Sequence, residues 1–239
     1  CRLPVPRATP SLSIPPLQSS CPSAIRVPLP LPLAIVRDTQ GETRSGKQKP
    51  ICGMPIDVRL HLLALPNAPV SPAYSLDGFA VATHRFGRMM RSLGHHVILY
   101  GAEGSDTSVC DEFVQIISDR ERRALLERAP ANNCEYQHVV MDETRALWQR
   151  TNPAMAAEVA LRKQPRDFLL TIGGASQKPV FDFNPDLMPV EYSVGYSGNF
   201  GPNRVFESYA WMHACYGMQQ VTNVRFFDTV IPLFFDPDE

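Results

Sequence analysis

The chain has 239 residues, 44% of them apolar, and a net charge of −1. That is enough for one large or two small domains, and too balanced for bulk attraction to nucleic acid or an anionic membrane. Its six cysteines are scattered without a Cys-x-x-Cys pair or a His at metal-ligand spacing. Neither a disulfide framework nor a metal site is therefore expected, and the thiols read as reduced, in an intracellular protein. No apolar run reaches the roughly 18–20 residues that span a bilayer.

The sequence begins on Cys1 rather than Met. Residues 1–53 carry seven Lys/Arg against Asp38 and Glu42, with ten of the 23 prolines, and the remainder is net acidic by six charges. Such a Pro/Arg/Ser-rich segment buries too little apolar surface to offset its ordering entropy, so it is expected to be a disordered leader. It reads as an organelle transit peptide, as a poor signal peptide with Val27–Val36 as its apolar region, or, the reading favoured, as sequence upstream of a true start at Met54.

Val58–Leu65 is a short apolar run bounded by Pro66, hence a buried strand. A loop with Pro66, Pro69 and Pro72 ends at Ser75, read as an N-cap. Phe79, Thr83, Phe86, Met90 and Leu93 then recur at helical spacing, with Arg85, Arg88 and Arg91 opposite and His84 on the polar face. Gly94 ends that helix and Val97–Tyr100 is the second strand. Glu112–Ile117 is the third. Ser118 with Glu121 fits a capping box for a helix running to about Arg128. Residues 131–140 carry no clear pattern, and Thr144–Arg150 reads as a short helix. Asn152-Pro153 reads as the cap and first residue of a separate helix, Ala154–Lys163. Strands over Asp167–Ile172 and Val190–Tyr196 follow, the first ending in Gly173-Gly174, the second in a Gly-rich loop to Gly201. Gln177–Phe183 reads as a helical turn and loop, Arg204–Tyr216 as a helix bearing Val205, Tyr209, Met212 and Tyr216 on one side, and Thr229–Pro232 as a last strand. Strands alternating with helices define an α/β, Rossmann-like, doubly wound parallel sheet with helices on both faces, over residues 54–232. Residues 233–239 read as the start of an inter-domain linker.

Ligands of open parallel sheets sit beyond the carboxyl ends of the strands. Three loops are therefore expected to converge: Pro66–Ser75 with Asp77-Gly78 behind it, Gly173–Ser176, and Gly195–Gly201. Neither a G-x-G-x-x-G nor a G-x-x-x-x-G-K-[ST] fingerprint occurs, so no recognisable motif binds a cofactor. A serine nucleophile elbow is missing too, since Gly195-Tyr196-Ser197-Gly198 has the wrong order. The histidines read as structural. Glu191 lies in an apolar strand just before the Gly-rich loop, where burial raises an acid's pKa and makes it a candidate base. Pairing with Arg204 or capping a backbone turn is an equal alternative, and Arg204 with Glu207 fits an i,i+3 pair. Trp148, Tyr209 and Trp211 read as core rather than as sugar platforms.

Ser75-Leu76-Asp77-Gly78-Phe79, with Arg88–His95 and Val97–Tyr100, resembles the first half of the N-terminal domain of GT-B glycosyltransferases. Val194–Gly198 with Arg204-Val205-Phe206-Glu207-Ser208-Tyr209-Ala210-Trp211-Met212-His213 is similar to that family's matching late segment, and Val230–Asp236 to its crossing into the second domain. The resemblance covers residues 54–239. It implies an acceptor-side domain truncated before the donor-binding domain, inactive alone, from an enzyme that moves a sugar from a nucleotide-sugar co-substrate to a small-molecule or glycan acceptor. With the converging loops, the cleft is expected at Ser75, Asp77, Gly78, Gly173, Gly174, Gly195, Tyr196, Ser197, Gly198, Arg204 and Glu207, with no metal, and the setting is expected to be cytoplasmic unless the leader is a transit peptide. A stand-alone Rossmann-like binding module or inactive homologue is the alternative.

Overall fold

A computed structural model of the chain describes residues 58–126, 139–220 and 225–233. The expected leader, the start at Met54 and all of the expected linker except Leu233 lie outside these residues. Seven parallel strands form one sheet: β1 (Arg59–Leu63), β2 (His96–Ala102), β3 (Glu112–Ile117), β4 (Phe168–Thr171), β5 (Met188–Val194), β6 (Arg204–Phe206) and β7 (Thr229–Val230). Their order is β3-β2-β1-β4-β5-β6-β7. This is the Rossmann order with one strand added, and it reverses direction between β1 and β4.

Alternation along each strand builds the two sides of the core. Leu60 and Leu62 of β1, Val97 and Leu99 of β2 and Leu170 of β4 pack with Phe79, Phe86 and Met90 of α1 (Gly78–Ser92). Leu63, Ile98, Tyr100 and Leu169 point the other way. They meet Met155, Ala156 and Val159 of α3 (Ala146–Arg162) and Val180 and Phe181 of α4 (Lys178–Phe183). Helices thus cover both faces, as a sheet of buried apolar strands requires.

Local chemistry departs from the sequence reading in several places. The cap of α1 is Asp77, whose carboxylate accepts from the amides of Phe79 and Ala80; Ser75 instead closes a 3-10 turn over Pro72–Tyr74. On α1 itself His84 is buried against Asp106 at 2.9 Å, and Leu93, expected inside, is 58% exposed. In α2 (Asp119–Leu125), Ser118 caps as expected, but Glu121 turns outward to Arg150 rather than back to the cap. The expected end of that helix near Arg128 lies outside the described residues. Pro153 does not start a helix: α3 runs through it. Proline withholds one N–H, from the Gln149 carbonyl, and Gln149 is exposed, so water can satisfy that carbonyl. Asn152 is not a cap either; its amide donates to the Ser176 carbonyl at 2.8 Å.

The largest departure is at Arg204, expected in a helix. It opens strand β6, and the helix α5 starts only at Tyr209 and runs to Met218. The Arg204 guanidinium is fully buried with Asp228, also donates to Asn199 and Gln219, and lies between the rings of Phe206 and Tyr216. A side chain with that many partners across β6, α5 and the approach to β7 stabilises a strand that its sequence alone does not announce. The i,i+3 pair with Glu207 is not formed.

Candidate functional site

The carboxyl ends of β1, β4, β5 and β6 meet at the reversal of strand order. Gln177 ties two of them. Its Nε2 donates to the Ala64 carbonyl just past β1 at 2.9 Å, and its Oε1 accepts from the Gly173 amide and the Thr171 hydroxyl past β4. Two residues before Gln177, the Ala175 amide donates to the Gly198 carbonyl at 2.9 Å, joining the loop after β4 to the loop after β5. The ring of Phe79, in the first turn of α1, lies 6.1 Å from that of Tyr196. The loops after β4 and β5 are therefore brought together beside the start of α1, whereas the expected third loop, Pro66–Ser75, bonds through Val70 to Ser105 and Asp106 after β2.

Gly174 has φ +53 and Gly198 φ +82, in the left-handed region that favours glycine. A Cβ on Gly174 would meet the Tyr196 ring at 2.9 Å and the Gly198 carbonyl at 3.0 Å. Close backbone approach and an unusual φ thus coincide where the loops touch. Gly195 lies under the side chain of Glu207, and a Cβ there would overlap the carboxyl. Glu207 follows β6. It is half-buried, burial raises its pKa, and its carboxylate makes no hydrogen bond among the described residues. The Tyr196 ring lies against Gly174; its hydroxyl is buried with no partner, and burial followed by the Glu191 charge pushes its pKa well up. The Ser176 hydroxyl, next to Gly174, is also buried and unpaired. Ser197 and Gly198 are exposed on the loop's outer surface.

Other residues named from the sequence are otherwise engaged. Asp77 is 2% exposed; one oxygen serves the helix cap and the other accepts from Asn67. Burial raises its pKa, and no oxygen faces a ligand. Gly78 is exposed behind it, and Ser75 lies three residues earlier on the surface. The Gly173 amide is taken by Thr171 and Gln177. Glu191 is fully buried, and its Oε2 accepts from the amides of Phe200 and Gly201. Of the two readings for this acid, the one seen is the backbone cap; Arg204 stands opposite in register but spends its donors elsewhere. Trp148 is core, while Tyr209 is 67% and Trp211 36% exposed, because α5 buries only Cys215 fully. Phe79, Gln177 and Ser176 complete the convergence. For Phe79 and Gln177 no sequence signal marked a role there, since an apolar helix position and a Gln after Gly-Gly are ordinary.

Two hollows are lined by other residues. One of about 490 Å³ is lined by Arg88, Arg91, His95 and Asp111, and one of about 310 Å³ lies between α3 and α4 beside Trp148 and Phe183. Among the described residues no cluster of three His, Cys, Asp or Glu is placed to hold a metal, and no helix is long and apolar enough to cross a membrane. Together these features define an open-sheet α/β domain with a glycine-lined shelf and one unpaired acid at the strand ends. No family model, curated protein or solved structure matches the chain.

Proposed function

We propose that this domain is the acceptor-side half of a cytoplasmic glycosyltransferase, transferring a sugar from a nucleotide-sugar to a small-molecule or glycan acceptor. The observation that carries the reading is the meeting of Gly174, Gly195–Gly198 and the unpaired Glu207 carboxylate at the carboxyl edge of a Rossmann-ordered sheet. Sugar hydroxyls need acceptors as well as backbone donors, and a carboxylate beside open glycine backbone offers both. Glu207, which faces outward, is a better group to orient an acceptor hydroxyl than Glu191, which is sealed in the sheet. The resemblance of Val194–Gly198 and Arg204–His213 to the late segment of GT-B enzymes points the same way. Exposed apolar side chains on one flank (Trp211, Met218, Phe226, Phe227, Ile231 and Leu233) fit a surface covered by a second, donor-binding domain. On this reading the domain alone transfers no sugar.

The test is amide NMR of the chain titrated with simple glycosides, and separately with UDP- and GDP-sugars. Glycosides are expected to shift the Gly174, Gly195 and Gly198 amides, and Glu207→Gln to weaken that binding about tenfold, as loss of one charge-assisted hydrogen bond does. Shifts confined to other surfaces, or none with any sugar, would remove the proposal.

A further inference from the structure

The loop that forms half of the shelf closes on one buried acid. Glu191 is 0% exposed in the middle of β5. Its Oε2 gathers the Phe200 amide at 2.9 Å and the Gly201 amide at 2.7 Å, while Oε1 is buried with no partner. Gly201 packs so tightly that a Cβ there would lie 3.1 Å from Oε2. The pairing of β5 with β6 slips between Glu191 and Val194, so where the ladder is irregular the side chain holds the returning strand.

We propose that Glu191 is a proton-operated latch: its neutral carboxyl keeps the Gly195–Gly201 loop closed, and loss of the proton to water releases it. An ionised carboxylate has strong acceptor sites on both oxygens, yet the closed loop serves only Oε2. The charged groups around it oppose one another. Arg204 on β6 favours the anion and Asp228, ahead of β7, disfavours it. Tyr196 in the loop and Cys215 on α5 complete the titratable surroundings, and burial holds both neutral. Burial outweighs the two amide bonds and Arg204, so the acid is pushed up to about 7. Opening the loop to water returns it towards its ordinary value of 4.5. Between those values each rise of one pH unit favours the open loop by up to about tenfold. The latch is independent of the sugar-transfer reading, since no ligand enters it.

Hydrogen exchange on the whole chain, expressed as protection factors, tests it. From about pH 5 to pH 8 the Phe200 and Gly201 amides are expected to lose protection about fiftyfold, while Leu62 and Leu63 in β1 do not follow. Glu191→Gln keeps an acceptor for the two amides and should make their protection independent of pH. Flat protection in the parent chain, or the same fall in the variant, overturns the latch. If the variant does not fold, the carboxyl ¹³C shift of Glu191 decides: a midpoint near 7 supports the latch, and one below about 5.5 sinks it.

Discussion

The two edges of the sheet handle buried polarity differently. At the amino edge His61 is held between the Tyr100 hydroxyl at 2.8 Å and Asp167 at 3.0 Å, and Asp167 also accepts from Arg59 and the Gln164 amide. Arg162 reaches both Glu112 and Glu158; further along the sheet, opposite Glu191, Arg204 is saturated by Asp228, Asn199 and Gln219. The carboxyl edge leaves Glu191 Oε1, the Tyr196 hydroxyl and the Ser176 hydroxyl buried and unpaired. His95 Nδ1 and Asn184 Oδ1 are exceptions at the amino edge. An unpaired buried polar atom costs about 1–3 kcal/mol. Paired buried charge is thus concentrated where the strands begin, and more of the unmet hydrogen-bonding capacity where they end.

Removing a saturated buried charge should produce the largest effect. Arg204→Ala leaves Asp228 as an uncompensated carboxylate with 0% side-chain exposure, and is expected to destabilise the domain by about 3–5 kcal/mol in urea unfolding. A loss under 1 kcal/mol would mean that the pair is hydrated and that saturated burial is not what stabilises the sheet. At the carboxyl edge Gly174→Ala should cost about 2 kcal/mol, from its left-handed φ and the contact with Tyr196 and the Gly198 carbonyl. Its distinguishing sign is local. The Ala175 amide should lose protection against exchange because its bond to Gly198 cannot be kept. The Arg204 variant should instead lose protection throughout the sheet.

The same contrast explains what could be read from the residues. Buried parallel strands write themselves as apolar runs, so β1 to β4 and the sheet class are plain in the sequence, and Ser118 announces its helix through local cap chemistry. Arg204-Val205-Phe206 does not look like a strand, because its place depends on Asp228 and Gln219, distant in sequence. Pro153 reads as a helix start by local rules; tertiary packing of Leu147, Trp148, Met155 and Val159 carries the helix through it. At the shelf, the glycines and Glu207 were visible as residue types. Which acid faces outward was not, because the alternation of β5 buries Glu191 and only the three-dimensional slip beside it leaves Glu207 over Gly195.

The effect that sets the two edges directly against each other is in pH. Burial first, offset by the Asp167 hydrogen bond, lowers the pKa of His61 below its ordinary 6.5. The unfolded chain then binds a proton that the folded domain refuses. The contribution of His61 is complete above 6.5 and is lost as pH falls below it. Glu191 behaves oppositely: the folded domain keeps a proton that the unfolded chain has released, so its contribution is complete below 4.5 and is lost as pH rises through about 7. Between 4.5 and 6.5 the two slopes have opposite sign and partly cancel. Urea midpoints for the parent chain, Glu191→Gln and His61→Gln across this range separate them. The stability of Glu191→Gln relative to the parent should grow with pH by at most about 1.4 kcal/mol per unit up to 7, then level off. That of His61→Gln relative to the parent should improve as pH falls below 6.5. If the Glu191→Gln difference were the same at every pH, the acid would already be solvated in the closed loop, and the contrast between a saturated edge and an unsaturated one would fail at its central residue.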